Sequence, residues 1–157
     1  MHGLNIREVK LEGACRLSEI AINSVVPFRE IDFDQAGWVR FVEATSVAST
    51  ERRISGAAYF CLCALQNEKI VGYITIRDFE KIDQLFVEPE SQKRGVARNL
   101  WEQAKNRCLT YSSPNNFWVR SSSYAIPVYE RFGFEKIGAL ENENGALFQL
   151  MKLALNR

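Results

Sequence analysis

Histidine is almost absent from this chain of 157 residues, in which His2 is the only one. A Ser-His-Asp or Cys-His nucleophile system needs a histidine as its base, so such systems are excluded within one chain. Zinc sites built on histidines are excluded for the same reason. The four cysteines include no CxxC pair, and Cys61 and Cys63 share one face of an expected strand. We therefore expect reduced thiols that serve as small apolar residues, and no metal site.

Excess charge of either sign and long apolar runs are also missing. The net charge of +1 at pH 7 gives no reason to expect nucleic acid or an anionic membrane as a partner. The longest apolar run, residues 57–65, is too short to span a bilayer, and the first residues lack the apolar core of a secretory signal. We expect a cytoplasmic protein whose residues 1–157 form a single domain.

Hydrophobic periodicity predicts alternating strands and helices without repeats. Residues 4–9 are typical of a strand, and Leu17, Ile20, Ala21 and Val25 have the spacing of one helix face. Asp34 is placed to cap a second helix, whereas we interpret the weak pattern of residues 46–56 as a helix end and a loop. The other expected elements are strands at 58–65, 70–76 and 82–87, a helix at 95–108, a strand at 116–122, a short helix at 125–132 and two strands around the polar turn 141–145.

The stretch QKRGVA, residues 92–97, stands where an apolar strand turns into an amphipathic helix. The first turn of a helix presents unpaired N–H groups and a partial positive charge. Gly95 lets the backbone approach a ligand closely, and Lys93, Arg94 and Arg98 add formal charge around it. Together these features suit a pyrophosphate, although neither the Walker pattern nor GxGxxG is present. The alternative is an ordinary turn with surface cations.

QKRGVA also resembles the Q/R-x-x-G-x-G/A signature of the GNAT superfamily of acetyl-CoA-dependent N-acetyltransferases. Downstream, SSYAIPVYERFGFEKIG is similar to that family's second hallmark, a serine-led short helix with a tyrosine. The resemblance covers essentially the whole chain. It implies the α/β GNAT fold, with a mostly antiparallel sheet of six or seven strands, two splayed parallel strands and about four helices. The chain departs from relatives at Ala97, Arg120 and Ser123, where glycine, asparagine and proline are common.

The resemblance implies where the cosubstrate acetyl-CoA would lie. Strands 82–87 and 116–121 would splay apart, so that the backbone of Leu85, Phe86 and Val87 could bond the pantetheine amides. One N–H near Val87 would polarise the thioester carbonyl. The pyrophosphate and its surroundings would be bound by Gln92, Lys93, Arg94, Gly95, Val96, Ala97 and Arg98. Ser122 is either a contact of the cofactor or the cap of the short helix, or both.

The implied reaction is direct attack of an amine on a thioester within a ternary complex. A lysine-like amine with a pKa of about 10.4 is unprotonated in only about one molecule in 10³ at pH 7, so a base is useful. Asp83 is our candidate base and Glu80 the reserve, with water as a relay; alternatively, Asp83 is a salt-bridged strand residue, paired for example with Lys81 or Arg77. Tyr129 matches the family's tyrosine that protonates the departing thiolate. Its alternative role is in the core.

The acceptor and two rival functions stay open at the level of sequence. Glu30, Asp32 and Asp34 would attract a cationic amine, or else they cap helices and favour solubility. The acceptor is expected to be a small-molecule or peptide amine, and the protein could form a homodimer. One rival is a GNAT fold that senses CoA or acetyl-CoA without turnover. The other is an RNA-binding domain that uses Arg94, Arg98, Trp101 and Trp118; near-zero net charge disfavours it.

Overall fold

The computed structural model describes residues 3–155, and His2 lies outside the described residues. Its strands are β1 Leu4–Glu8, β2 Tyr59–Gln66, β3 Lys69–Arg77, β4 Lys81–Val87, β5 Asn116–Ser121, β6 Glu135–Lys136, β7 Glu141–Glu143 and β8 Ala146–Ala154. Its α-helices are α1 Ala14–Val25, α2 Arg29–Asp32, α3 Gln35–Ala44, α4 Val47–Ser55, α5 Val96–Tyr111 and α6 Ile126–Arg131. Single turns of 3₁₀ helix occupy Leu11–Gly13, Val26–Phe28 and Pro89–Ser91.

One sheet runs through the described residues in the order β1-β2-β3-β4-β5-β8-β6, with β7 paired to β8. All neighbouring strands are antiparallel except β4 and β5, which are parallel. The expected α/β fold with a mostly antiparallel sheet and two parallel strands is therefore confirmed. The sheet has one strand more than expected, because the polar turn at 141–145 contains β7. There are also more helices than the four expected.

Both hairpins of the central sheet close through tight turns whose central residues have positive φ. These are Asn67 and Glu68 between β2 and β3, and Asp78 and Phe79 between β3 and β4, with φ from 52° to 64°. Such turns match the right-handed twist of the strands, even though the sequence lacks the usual Asn-Gly signal. β2 pairs antiparallel with β3 and β3 with β4, in agreement with the mostly antiparallel sheet that the resemblance implies.

The two faces of the sheet are covered by different helices. On one face, the apolar stripe of α5 that the sequence predicted packs into the larger core, where Leu100, Trp101 and Ala104 are buried. On the other face, Leu17 and Ile20 of α1 pack against Cys61, Cys63 and other residues of β2 and β3. Successive side chains of β4 point to opposite faces of the sheet, so β4 contributes residues to both cores.

The segment at 46–56 is the clearest difference from the sequence prediction. Residues Val47–Ser55 form α4 rather than a loop, and the Ser46 side chain accepts a hydrogen bond from the Ser49 N–H as the N-cap. The apolar face of α4 is narrow: Thr50 is buried and Ile54 packs partly buried against the α1-side core, while most other residues are polar. Packing against α1 and β2 stabilises this mostly polar helix.

Candidate active site

The parallel strands β4 and β5 separate after a short paired stretch. Only Lys81 with Trp118 and Ile82 with Val119 are in register, and no later residue of β4 pairs with β5. The register of β3 against β4 slips at this point, because Thr75 is opposite Gln84 while Ile76 is opposite Ile82. Asp83 is therefore the extra residue of a β-bulge. The predicted splay between 82–87 and 116–121 is confirmed, and the bulge marks where it begins.

The bulge determines which backbone groups point into the gap between β4 and β5. The Glu88 N–H donates to the Val71 carbonyl of β3 at 2.8 Å. Successive residues of a strand present their backbone groups to opposite sides, so those of Val87 and Leu85 point away from β3 into the gap. Phe86, by the same alternation, pairs with Tyr73 of β3. Of the three residues expected to bind through their backbone, two have groups directed into the gap.

The loop before α5 has the conformation expected of an anion site. Lys93 and Gly95 both have positive φ, 62° and 83°. Gly95 is the N-cap of α5 and no side chain caps the helix. The N–H groups of Gly95, Val96 and Ala97 donate to no residue within 3–155. These amides and the positive end of the 16-residue helix are thus available to an anionic ligand.

The side chain of Gln92 connects this loop to β4. Its Nε2 donates to the Val87 carbonyl at 2.9 Å, and its Oε1 accepts from the Tyr124 hydroxyl at 3.0 Å. Tyr124 is stacked on Phe28 with ring centroids 3.7 Å apart. Because the Val87 carbonyl is already bonded, the free groups of the gap are the Val87 N–H and both backbone groups of Leu85.

Tyr129 is buried, with 5% of its surface exposed, in the α5-side core. Its ring packs edge-on against Phe132 and Phe134. The hydroxyl has no hydrogen-bond partner among the described residues, yet it is not among the fully enclosed polar atoms. Burial raises the pKa of Tyr129 above its usual value of 10.0. Tyr129 is therefore a neutral phenol whose donor proton is free.

Asp83 lies on the opposite side of β4 from Tyr129's core and is held by a helix that the sequence did not predict. Its Oδ2 accepts from Arg53 Nε of α4 at 2.8 Å and from the Thr75 hydroxyl at 3.2 Å. The Asp83 side chain is 14% exposed. Its Oδ1 accepts no hydrogen bond from the residues that the structure describes. Asp83 is thus ion-paired through Oδ2, with Arg53 as partner instead of Lys81 or Arg77, and its Oδ1 stays available for the candidate role as a base.

These groups line one cavity of about 690 Å³, a volume typical of small-ligand sites. Arg53 and Arg131, which sequence reasoning missed, line it too. Arg94 does not line it, and neither does Glu80, the reserve base, which lies at the start of β4 by a separate surface groove. The expected site residues that do line it are Asp83, Leu85, Phe86, Val87, Gln92, Lys93, Gly95, Val96, Ala97, Arg98, Ser122 and Tyr129.

Most carboxylates of the acidic segment near the cavity stabilise the fold. Asp34 accepts from the Gly37 N–H at 2.8 Å as the N-cap of α3, which confirms the predicted cap. Asp32 is 2% exposed and accepts hydrogen bonds from the N–H and the hydroxyl of Ser123. Glu30 is exposed and lies outside the cavity lining. Capping and packing therefore account for Asp32 and Asp34.

The remaining nucleophile types of the described residues are poorly placed for covalent catalysis. Cys61, Cys63 and Cys108 are buried and Cys15 is exposed, and all four are free thiols. Burial raises the pKa of Cys61 and of Cys108 to about 12.

No group of three His, Cys, Asp or Glu side chains within 3–155 could hold a metal ion. No helix in that range is long and apolar enough to cross a membrane.

The positions of Ser122 and Trp101 bear on two alternatives that the sequence left open: the role of Ser122 and the RNA-binding hypothesis. The Ser122 hydroxyl accepts from the Ala125 N–H at 3.2 Å, so Ser122 orders the turn into α6 while also lining the cavity. Trp101 is 2% exposed and packs against Phe117 and Phe134. It offers no surface on which a base could stack, which removes one element of the RNA-binding hypothesis.

Comparisons with known proteins agree with this geometry. Residues 29–155 match the family model of the acetyltransferase (GNAT) domain. A search of curated proteins finds no match. Among solved structures, a GCN5-related N-acetyltransferase from Rhodopseudomonas palustris, also described as a class-II aminotransferase, superposes with a TM-score of 0.85 at 19% identity, covering 99% of this chain and 98% of that one.

Two further solved structures are similar over nearly their full length. The PaiA N-acetyltransferase from Thermoplasma acidophilum in complex with coenzyme A has a TM-score of 0.77 at 18% identity, with 97% of this chain and 99% of that chain covered. The ribosomal-protein-S18-alanine N-acetyltransferase from Escherichia coli has a TM-score of 0.70 at 18% identity, with 98% and 95% covered. The bulged and splayed strands, the open helix end and the family match together show that the chain belongs to the GNAT acetyltransferase family.

Proposed function

We propose that the protein is an N-acetyltransferase that transfers the acetyl group of acetyl-CoA to a primary amine of a small molecule or peptide by direct attack in a ternary complex. The observation that carries this proposal is the convergence, in one cavity, of the unpaired β4 amides, the uncapped start of α5 and the free Tyr129 hydroxyl. Family membership and the coenzyme A bound in a structural neighbour support it.

The residues of the cavity between β4 and the start of α5 fit acetyl-CoA. The amides of Gly95 to Ala97 suit a pyrophosphate, with Lys93 and Arg98 adding positive charge at the cavity wall. The N–H and C=O of Leu85 suit the amides of a pantetheine arm, because they have no partner on β5. Acetyl-CoA supplies an activated thioester. The Val87 N–H would stabilise negative charge on its carbonyl oxygen.

Two side chains provide the proton transfers. Asp83 would accept the proton of the attacking amine through Oδ1, while Arg53 and Thr75 fix Oδ2 and so set the orientation of the carboxylate. Tyr129 would donate its proton to the departing thiolate, since its phenol is neutral and its hydroxyl is not engaged elsewhere. Asp83 lies on the α4 side of β4 and Tyr129 belongs to the core on its α5 side. Location in the cytoplasm and dimer formation stay predictions from the sequence.

A thermal-shift titration with acetyl-CoA, CoA and ATP, followed by thiol release with a panel of amines, tests the proposal. We expect both CoA species to raise Tm and ATP to have little effect, and we expect amine-dependent release of CoA. Stabilisation by CoA without thiol release from any amine would favour the sensor instead. A response to ATP alone would contradict the assignment of the cavity.

A further inference from the structure

One part of the cavity, on the α3 and α4 side of β4, is lined by several aromatic side chains. We call it the acceptor chamber and define it by Phe33, Phe41 and Phe86. The ring centroids of Phe33 and Phe41 are 5.3 Å apart, and those of Phe41 and Phe86 are 6.1 Å apart. All three rings are partly exposed and line the cavity. The chamber therefore offers apolar ring surface next to the bulge at Asp83.

The aromatic wall is held in place by backbone contacts between distant segments. Phe33 forms a β-bridge with Ala146, and the Asp34 N–H donates to the Gly145 carbonyl at 2.9 Å. Gly37 of α3 lies so close that a Cβ there would stand 2.1 Å from that carbonyl oxygen. This contact requires glycine at position 37. The chamber is thus built before any ligand arrives, which lowers the cost of binding an apolar group.

The charges in and around the chamber are already paired. Asp83 is bonded to Arg53 and Thr75, and Asp32 is bonded to Ser123. Arg120, which also lines the cavity, forms an ion pair with Glu143 at 2.6 Å. No carboxylate that lines the described cavity is left without a protein partner to receive the second ammonium group of a polycation.

We infer that the acceptor is a singly charged primary amine joined by a short apolar linker to an aromatic ring. This inference rests on the proposed function and specifies its substrate class. The ring fills the acceptor chamber against Phe33 and Phe41, and the linker directs the amine to Asp83 Oδ1. Aromatic pairs in such pockets stabilise a bound ring beyond the burial of its area. Polyamines and aminoglycosides, which carry several ammonium groups, do not fit this compartment.

The test compares phenethylamine, ethylamine and spermidine as acceptors in the thiol-release assay. We expect kcat/KM for phenethylamine to exceed that of either other amine by about tenfold or more, because only phenethylamine fills the chamber. Phe41→Leu should reduce the preference for phenethylamine over ethylamine by about fivefold. Phe60→Leu is the matched control: Phe60 packs against Phe79, outside the cavity, and its substitution should leave the preference unchanged.

The outcomes of these experiments distinguish an error in the inferred substrate class from an error in the proposed function. A higher kcat/KM for spermidine, or a preference that Phe41→Leu does not alter, would overturn the inference while acetyl transfer itself stands. Saturation-transfer NMR of phenethylamine with the CoA-loaded protein gives a readout independent of turnover. Binding that is weakened by Phe41→Leu, in a protein that acetylates none of the amines, would support the chamber and contradict the acetyltransferase assignment.

Discussion

At the scale of single residues, the site depends on polar atoms that either have no hydrogen-bond partner in the protein or are held in place by one. Tyr129 keeps a free hydroxyl in an apolar core, where a phenol normally finds a partner. Asp83 has one oxygen fixed by Arg53 and one left free. Both free atoms are accessible to a ligand in the cavity, because neither is fully enclosed by the protein. Each is useful if a ligand completes it.

Replacing Tyr129 by phenylalanine tests the role of its hydroxyl. We expect kcat to fall by about tenfold or more, since the proton donor is lost, while the affinity for acetyl-CoA changes little because no hydrogen bond within the protein is broken. Because burial raises the pKa of Tyr129 above 10.0, the wild-type rate should not fall as pH rises towards that value. Steady-state kinetics and isothermal titration measure both, with Tyr111→Phe at the exposed end of α5 as the control. Unchanged turnover in the variant would remove Tyr129 from this role.

Asp83→Asn tests the proposed base while keeping the shape of the side chain. At pH 7 we expect kcat/KM to fall by about tenfold or more, because the amine must then lose its proton without help. The deficit should shrink as pH approaches the amine pKa of about 10.4, where free amine becomes abundant. Asp78→Asn is the control, since Asp78 pairs with Arg77 at 3.5 Å outside the cavity. A deficit that stays constant with pH would mean that Asp83 positions the site without acting as a base.

At the scale of elements, the bulge in β4 and the start of α5 together create the cofactor half of the cavity. The bulge turns the Leu85 and Val87 amides away from β3, and the splay of β5 leaves them without a strand partner. The buried ion pair of Glu88 with Arg16, at 3.0 Å, ties the end of β4 to α1. The loop that follows is then held at both ends, by α1 and by α5. This gives the anion site a fixed position relative to the gap.

Gly95→Val tests whether the start of α5 binds a phosphate group. We expect the thermal shift produced by CoA to be abolished, because a side chain there would stand between the ligand and the helix amides. Gly138→Val is a matched control: both glycines have positive φ, 83° and 71°, and neither Cβ would meet a backbone atom within 4 Å. Both substitutions should lower Tm through backbone strain. Only Gly95→Val should remove the response to CoA, and an equal response in the two variants would contradict the anion site.

At the scale of the whole molecule, two cores share one sheet and enclose several weak acids. Tyr73 and Tyr129 are buried, as are Cys61 and Cys108, and burial raises the pKa of all four. In the unfolded chain the thiols would lose their protons near their usual value of 9.0. A raised folded-state pKa contributes stability that is present below the unfolded pKa and is lost as pH rises towards the folded one.

The free energy of unfolding should therefore decrease as pH rises from 8 to 11. Each such group contributes a slope of about −1.4 kcal/mol per pH unit once its unfolded form ionises. Urea unfolding at several pH values measures this slope. Cys108→Ala should make it shallower by about one group's contribution, whereas substitution of the exposed Cys15 by alanine should leave it unchanged. A stability independent of pH in this range would show that the buried thiols and phenols ionise as readily folded as unfolded.

Local sequence determined much of this protein, because the physical causes of its main elements lie within a few residues. The apolar stripe of α5, the positive-φ glycine that opens it and the Asp34 cap are local features, and all were predictable. The succession of strands and helices along the chain followed largely from periodicity and from the resemblance to GNAT proteins. The cofactor-side residues were identified for the same reason, since QKRGVA carries the loop and the helix start in one contiguous stretch.

Only the tertiary structure decided the features that join distant segments. Arg53 meets Asp83 because α4 packs on the sheet, and no pattern within α4 specifies that partner; Ser46 as a cap was a local indication of the helix itself. The bulge at Asp83 arises from the register between β3 and β4, which no local pattern specifies. The aromatic chamber likewise depends on the docking of α3 against the turn at Gly145. These contacts are set by packing across the fold, and they form the acceptor side of the cavity.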